Sequence, residues 1–246
     1  MKLELNDANS FRKSIEGINA LVGEGTFTIT QQGMFLKATD PSNISMIEFS
    51  LPKKAFGEFN LDKETKLGLD LDYLNQITKR ARADDRLSLE LDEEKNNLLI
   101  KFIGRTKRKF AVPLIDVSNQ EIPSLKIDFD VEVECNAALI QEGLKDAQLI
   151  STHVILGADK EKFFIKAHST KGNLLSETTK NDLDRLDVKS DAEAMFPLDY
   201  LNDMLKTASA DSKVMINLKT DAPVKLSYAV GEATLTYFLA PRMEPK

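Results

Sequence analysis

Five consecutive residues return unchanged 127 positions along this chain. Leu71-Asp72-Tyr73-Leu74-Asn75 recurs as Leu198-Asp199-Tyr200-Leu201-Asn202. At that same step Lys79 meets Lys206, Ala81 meets Ala208, Ala83 meets Ala210, Asp84 meets Asp211, Arg86 meets Lys213 and Leu91 meets Leu218. A second echo, Phe35-Leu36-Lys37-Ala38 with Phe164-Ile165-Lys166-Ala167, runs at a step of 129, which a two-residue insertion or deletion between the segments reconciles. The chain is an internal duplication, so one fold must serve both halves. At 246 residues it is long enough to bury two domain-sized cores.

Within each half, apolar and polar residues mostly alternate with period two, the pattern of strands that bury one face. Thr26-Phe27-Thr28-Ile29-Thr30 and Ala233-Thr234-Leu235-Thr236-Tyr237-Phe238 are examples. Tight polar turns such as Asp92-Glu93-Glu94-Lys95-Asn96-Asn97 imply antiparallel pairing. Four segments instead carry an apolar stripe at helical spacing. In the first, Phe11, Ile15, Ile18 and Val22 align, with Asn9 or Ser10 as the expected cap. The others run from about Asp72 to Arg82, Ala137 to Asp146 and Leu198 to Ala208. Strand, helix and three strands thus follow one another near residues 2–51, 66–116, 127–179 and 194–240, four copies of one unit. The fold class is α+β, in two duplicated domains at 1–115 and 127–246 joined by a polar connector at 116–126. Ile122-Pro123 on that connector is an apolar pair that fits either a docking element or a pin holding the loop to the core.

The formal net charge is -6, against the basic surplus usual for a DNA-binding domain, so any contact with nucleic acid requires local clustering of positive charge. Such clustering exists on the helices. Arg12 and Lys13 lie off the first apolar stripe, Lys79, Arg80 and Arg82 end the second helix, Lys145 the third and Lys206 the fourth. Basic residues near helix C-termini complement the dipole, which is one reading. The other is a shared surface that touches phosphates without reading sequence. Catalytic groupings are missing. No Gly-rich loop cradles phosphate, and Gly23-Glu24-Gly25 reads as the turn after the first helix. His153 and His168 have no partners at ligand spacing and read as structural rather than as metal ligands. Asp72 and Asp199 open helices, where capping explains them better than acid–base chemistry. No metal or cofactor is expected, and the chain reads as non-enzymatic. Cys135 is the only cysteine, so no internal disulfide forms. Neither a signal-peptide core nor an apolar run long enough to span a membrane is found, and the chain reads as soluble and intracellular.

The four units, the segment Leu36-Lys37-Ala38-Thr39-Asp40-Pro41-Ser42-Asn43-Ile44 and the terminal Tyr237-Phe238-Leu239-Ala240-Pro241-Arg242-Met243-Glu244 resemble the proliferating cell nuclear antigen family, over essentially the whole chain and at the length of its archaeal members. The resemblance implies a non-enzymatic DNA polymerase sliding clamp, or processivity factor, active in replication and repair. Three subunits would close head to tail into a homotrimeric ring, with antiparallel sheets outside and four helices per subunit lining a central hole. Arg12, Lys13, Lys79, Arg80, Arg82, Lys145 and Lys206 would face duplex DNA. Closure rather than affinity would hold the ring there, since non-specific phosphate binding is weak, with Kd on the order of 10⁻⁴–10⁻⁶ M. Subunits would join through Arg108, Lys109, Phe110 and Ala111 of one copy and Asn173, Leu174, Leu175 and Glu177 of the next, pairing two otherwise bare strand edges.

The same resemblance implies partners, namely DNA polymerase, flap endonuclease, DNA ligase and a clamp loader, that insert short peptide motifs into a pocket. Its matching positions are Thr39, Asn43, Ile44, Gln120, Ile122, Pro123, Pro223, Phe238, Ala240 and Pro241, of which Thr39 and Gln120 are more polar than the family's pattern. A cytoplasmic, nucleoid-associated location follows. The alternative on the same fold is a specialised subunit of a heterotrimeric clamp, or a clamp-like regulator, that forms no ring alone.

Overall fold

The computed structural model describes residues 1–117, 122 and 125–243. The expected unit occurs four times. The first comprises β1 (Lys2–Leu5), α1 (Ala8–Asn19), β2 (Glu24–Thr30), β3 (Gly33–Thr39) and β4 (Ser45–Pro52), followed by an added strand, β5 (Phe56–Asn60). The second comprises β6 (Thr65–Asp70), α2 (Leu71–Thr78), β7 (Arg86–Asp92), β8 (Asn97–Ile103) and β9 (Lys107–Pro113). The third comprises β10 (Val131–Asn136), α3 (Ala137–Gln148), β11 (His153–Ala158), β12 (Lys162–Ser169) and β13 (Gly172–Thr179), again with an added strand, β14 (Arg185–Val188). The fourth comprises β15 (Ala192–Pro197), α4 (Leu198–Leu205), β16 (Lys213–Leu218), β17 (Val224–Val230) and β18 (Ala233–Leu239).

The duplication holds in three dimensions. Helices α1 and α3 each have 12 residues and start at Ala8 and Ala137, a step of 129. Helices α2 and α4 each have 8 and start at Leu71 and Leu198, a step of 127. The step changes across a single loop. Strands β3 and β12 keep the longer step and β4 and β13 the shorter, so the first half's extra residues lie in the loop 40–44, whose counterpart is 170–171.

Contacts divide the chain into two compact units, one built mainly from the N-terminal half and one mainly from the C-terminal half. In the first, β5-β1-β7-β8-β9 form an antiparallel sheet, β4-β3-β2-β6 run side by side in another, and α1 packs beside α2. In the second the counterparts are β14-β10-β16-β17-β18 and β13-β12-β11-β15, with α3 beside α4. Alternation decides which face is inside. In β8, Leu98, Ile100 and Phe102 are buried while the residues between them are not. Each such side chain contributes about 1.5–3 kcal/mol when fully removed from water.

The helix ends correct the expectation in detail. Helix α1 is capped by Asp7, whose carboxylate accepts from the backbone N–H of Asn9 at 2.8 Å, rather than by Asn9 or Ser10. Asp70 caps α2 through the N–H of Tyr73 at 2.8 Å. Asp72 lies inside the first turn and accepts instead from the amide of Asn19 at 2.7 Å, and Pro197, which precedes α4, supplies no side-chain cap. Helix α2 stops at Thr78 because Arg80 and Ala81 donate to Ile77 and Thr78, three residues back, which tightens the last turn beyond α geometry.

Candidate functional site

Every basic residue expected to meet phosphate lies on a helix or just past its end. Arg12 and Lys13 are half-buried on α1, where the Arg12 guanidinium is steadied by Asn9 at 2.9 Å and by Glu16 at 3.6 Å. Lys79, Arg80 and Arg82 are exposed in the turn that ends α2. Lys145, on α3, pairs with Glu142 at 2.6 Å, and Lys206, which caps α4, is exposed. Five of these residues therefore belong to the first unit's helix pair and two to the second's. Each pair is pinned by amides. In the first, Asn75 donates to Asn19 at 2.6 Å. In the second, the Gln141 amide donates to the carbonyls of Leu205 at 3.0 Å and Ala208 at 3.1 Å, meeting acceptors that the end of α4 leaves open.

The expected subunit contacts fall on two strands at sheet edges. Strand β9 is the last of its sheet and buries only Val112, while β13 is the last of its own and buries no residue. A strand with one row of open backbone groups and almost no buried face is a surface made for pairing. Leu175 on β13 is 57% exposed. The charges beside these edges are largely engaged within the chain. Arg108 pairs with Asp85, donates to the carbonyl of Arg80 at 2.6 Å and lies 5.0 Å from the centre of the Phe102 ring. Phe110 meets that ring edge-on at 5.9 Å. Glu177 pairs with Lys162 on β12, and Asn173 bonds the ring of His168. Lys109 and Ala111 are exposed, and Leu174 is half-buried.

Of the expected partner pocket, the structure joins the loop 42–44 to the segment after β18. The N–H of Ala240 donates to the carbonyl of Ile44 at 2.8 Å. Ile44 is 37% exposed, Phe238 is buried, and Ala240, Pro241 and Pro223 are half-buried. Asn43 takes a left-handed φ of 57°, which asparagine tolerates better than most residues. Thr39 ends β3 and is half-buried, as is Ile122, whereas Gln120 and Pro123 lie outside the described residues. The expected set omits Arg242, although it follows Pro241 in the terminal motif. Its N–H donates to Met195 at 2.7 Å, and its guanidinium reaches the His153 ring at 3.1–3.2 Å. Both line a groove of ≈ 430 Å³ with Lys166, His168 and Leu175.

Burial, aided by the Arg242 charge, pulls His153 below its ordinary value. Burial pushes the Cys135 thiol up to about 12, with Asp184 adding to the shift. Among the described residues no group of three or more His, Cys, Asp or Glu could hold a metal ion, and no helix is long and apolar enough to cross a membrane.

The family model for the N-terminal domain of proliferating cell nuclear antigen matches residues 1–131, and the model for its C-terminal domain matches residues 122–243. A DNA polymerase sliding clamp of Thermofilum pendens is 35% identical, over 99% of this chain and 100% of that relative. Among solved structures, PCNA from Thermococcus kodakaraensis is similar with a TM-score of 0.94 and 26% identity, over 98% of this chain and 99% of that one. The A. fulgidus PCNA bound to the C-terminal region of FEN-1 is similar with a TM-score of 0.90 and 29% identity, over 100% of this chain and 99% of that one.

Proposed function

The chain belongs to the proliferating cell nuclear antigen family and is a DNA polymerase sliding clamp that tethers partner enzymes, and from that premise we propose that three identical copies close into a ring around duplex DNA. The observation that carries the ring is the pair of open edges, β9 in one unit and β13 in the other. Pairing β9 of one copy with β13 of the next is a head-to-tail contact, which makes a ring when its rotation closes. It satisfies two rows of backbone groups and covers Leu175.

The helices then supply only diffuse attraction to phosphate, and topology supplies residence. The chain performs no chemistry of its own. The A. fulgidus relative binds the C-terminal region of FEN-1. On this chain Ile44, Ile122, Phe238, Ala240 and Pro241 would receive the equivalent segment of a nuclease, and polymerase, ligase and loader would use the same place. Replacing Ile122 or Pro241 by alanine weakens binding of such a peptide by about 1 kcal/mol or more, as loss of a buried anchor does, measured by calorimetry on the intact ring.

The ring reading is tested by primer extension with a replicative polymerase on a linear template. With free ends, added protein threads on and lengthens the products. Blocking both ends with bulky caps abolishes the gain. A gain that survives blocked ends contradicts encirclement.

A further inference from the structure

The two helix pairs are duplicates, yet they carry opposite charge. At the step of 129 that relates α1 to α3, Arg12 becomes Gln141 and Lys13 becomes Glu142. At the step of 127 that relates α2 to α4, Arg80 becomes Thr207 and Arg82 becomes Ser209, and only Lys79 keeps its charge, as Lys206. The replacements have other occupations. Gln141 spends its amide on the carbonyls at the end of α4. Thr207 is buried, with its hydroxyl 3.0 Å from that of Tyr228. The one basic residue that α3 gains, Lys145, is held by Glu142 at 2.6 Å, and Asp146, Asp199 and Asp203 lie on the same two helices. On the first pair the acids are themselves engaged, Glu16 with Arg12 and Asp72 with Asn19.

We propose that phosphate binding is confined to the α1–α2 pair of each subunit, and that the α3–α4 pair is a non-adhesive wall whose surplus acid keeps the DNA backbone off it. This rests on the reading of the helices as the DNA-facing surface and adds a division of labour between duplicated elements. In a head-to-tail ring the two kinds of pair alternate, so a duplex meets three attractive stretches separated by three weakly repelling ones. Such a wall suits sliding, because continuous attraction around the hole would raise the cost of each step along the DNA.

The test is anisotropy of a fluorescent duplex of mixed sequence, titrated with full-length protein over a series of salt concentrations. Three variants are compared with the parent: Lys13→Ala with Arg80→Ala, Lys145→Ala with Lys206→Ala, and Glu142→Lys alone. None of these side chains is buried, and solution mass and thermal melting verify that each variant folds and assembles. The first variant is expected to bind more weakly, with a slope of log K against log salt shallower by about one or more, since each phosphate contact contributes roughly 0.9. The second is expected to lose less than the first, with little change in the salt slope, and Glu142→Lys to bind more tightly. Equal losses in the first two variants would overturn the division of labour while leaving the helices as the DNA surface. No loss in any variant would overturn that underlying reading as well.

Discussion

Asp85 is 3% exposed, and its carboxylate accepts from the backbone N–H of Arg82 at 2.8 Å and from the guanidinium of Arg108. It therefore ties the turn after α2 to strand β9, and neither function is visible in a sequence that places the two residues 23 positions apart. Replacing Asp85 by alanine strands both donors and lowers stability by about 2 kcal/mol, the cost of leaving buried polar groups unpaired, read as a shift in the urea midpoint. Cys135 is buried, and its thiol is pushed up to about 12, mainly by desolvation. Since the thiolate is the reactive form, the folded protein resists alkylation at neutral pH, and rapid labelling comes only with denaturant. His153 is pulled below its ordinary 6.5 by burial and then by Arg242. The unfolded chain thus takes up a proton that the folded chain resists, so stability is present above 6.5 and falls as the pH drops through and below it. His153→Asn flattens that acid-side loss in urea titrations. A profile unchanged by the substitution contradicts the assignment.

At the scale of elements, the strands and helices were largely legible because each pattern occurs twice, and the duplicate confirms the period. The helix ends were not. Ala81 and Ala208 continue the apolar stripe past the last α-turn, so periodicity alone overshoots α2 and α4, which end at Thr78 and Leu205. The cap of α1 was missed because Asp7 precedes the two polar residues that also suit the position. The short strands β5 and β14 follow single 3₁₀ turns and carry too few residues for a period to declare itself. Of the candidate site, the helical setting of the basic residues follows from the duplicated order, and the choice of β9 and β13 as edges from the family resemblance. The commitments of Arg108, Glu177 and Gln141 to their own chain do not, because they depend on contacts distant in sequence. Strand β13 carries the sharpest prediction at this scale. Leu175→Glu leaves the unfolding midpoint of the isolated chain within about 0.5 kcal/mol, as exposed positions usually do, yet prevents assembly, because a charge is forced into the covered edge. Sedimentation velocity separates the two effects.

For the whole molecule, the central quantities are a net charge of -6 and the attraction to phosphate that the proposed ring requires. The proposed division between the helix pairs reconciles them, with attraction on one pair of each duplicated set and surplus acid on the other. Diffuse attraction of this kind is too weak to hold a polymerase partner on DNA through long synthesis, so the proposed ring would act only when closed. In the proposed ring, closure depends on each copy offering one edge of each kind, as this chain does with β9 and β13. The most direct measurement is solution mass by light scattering on the purified chain across a range of concentrations. The proposed ring requires one species at three times the 27.5 kDa chain mass, near 82.5 kDa. A mass that stays at 27.5 kDa at every concentration would contradict it and make the chain one subunit of a mixed ring.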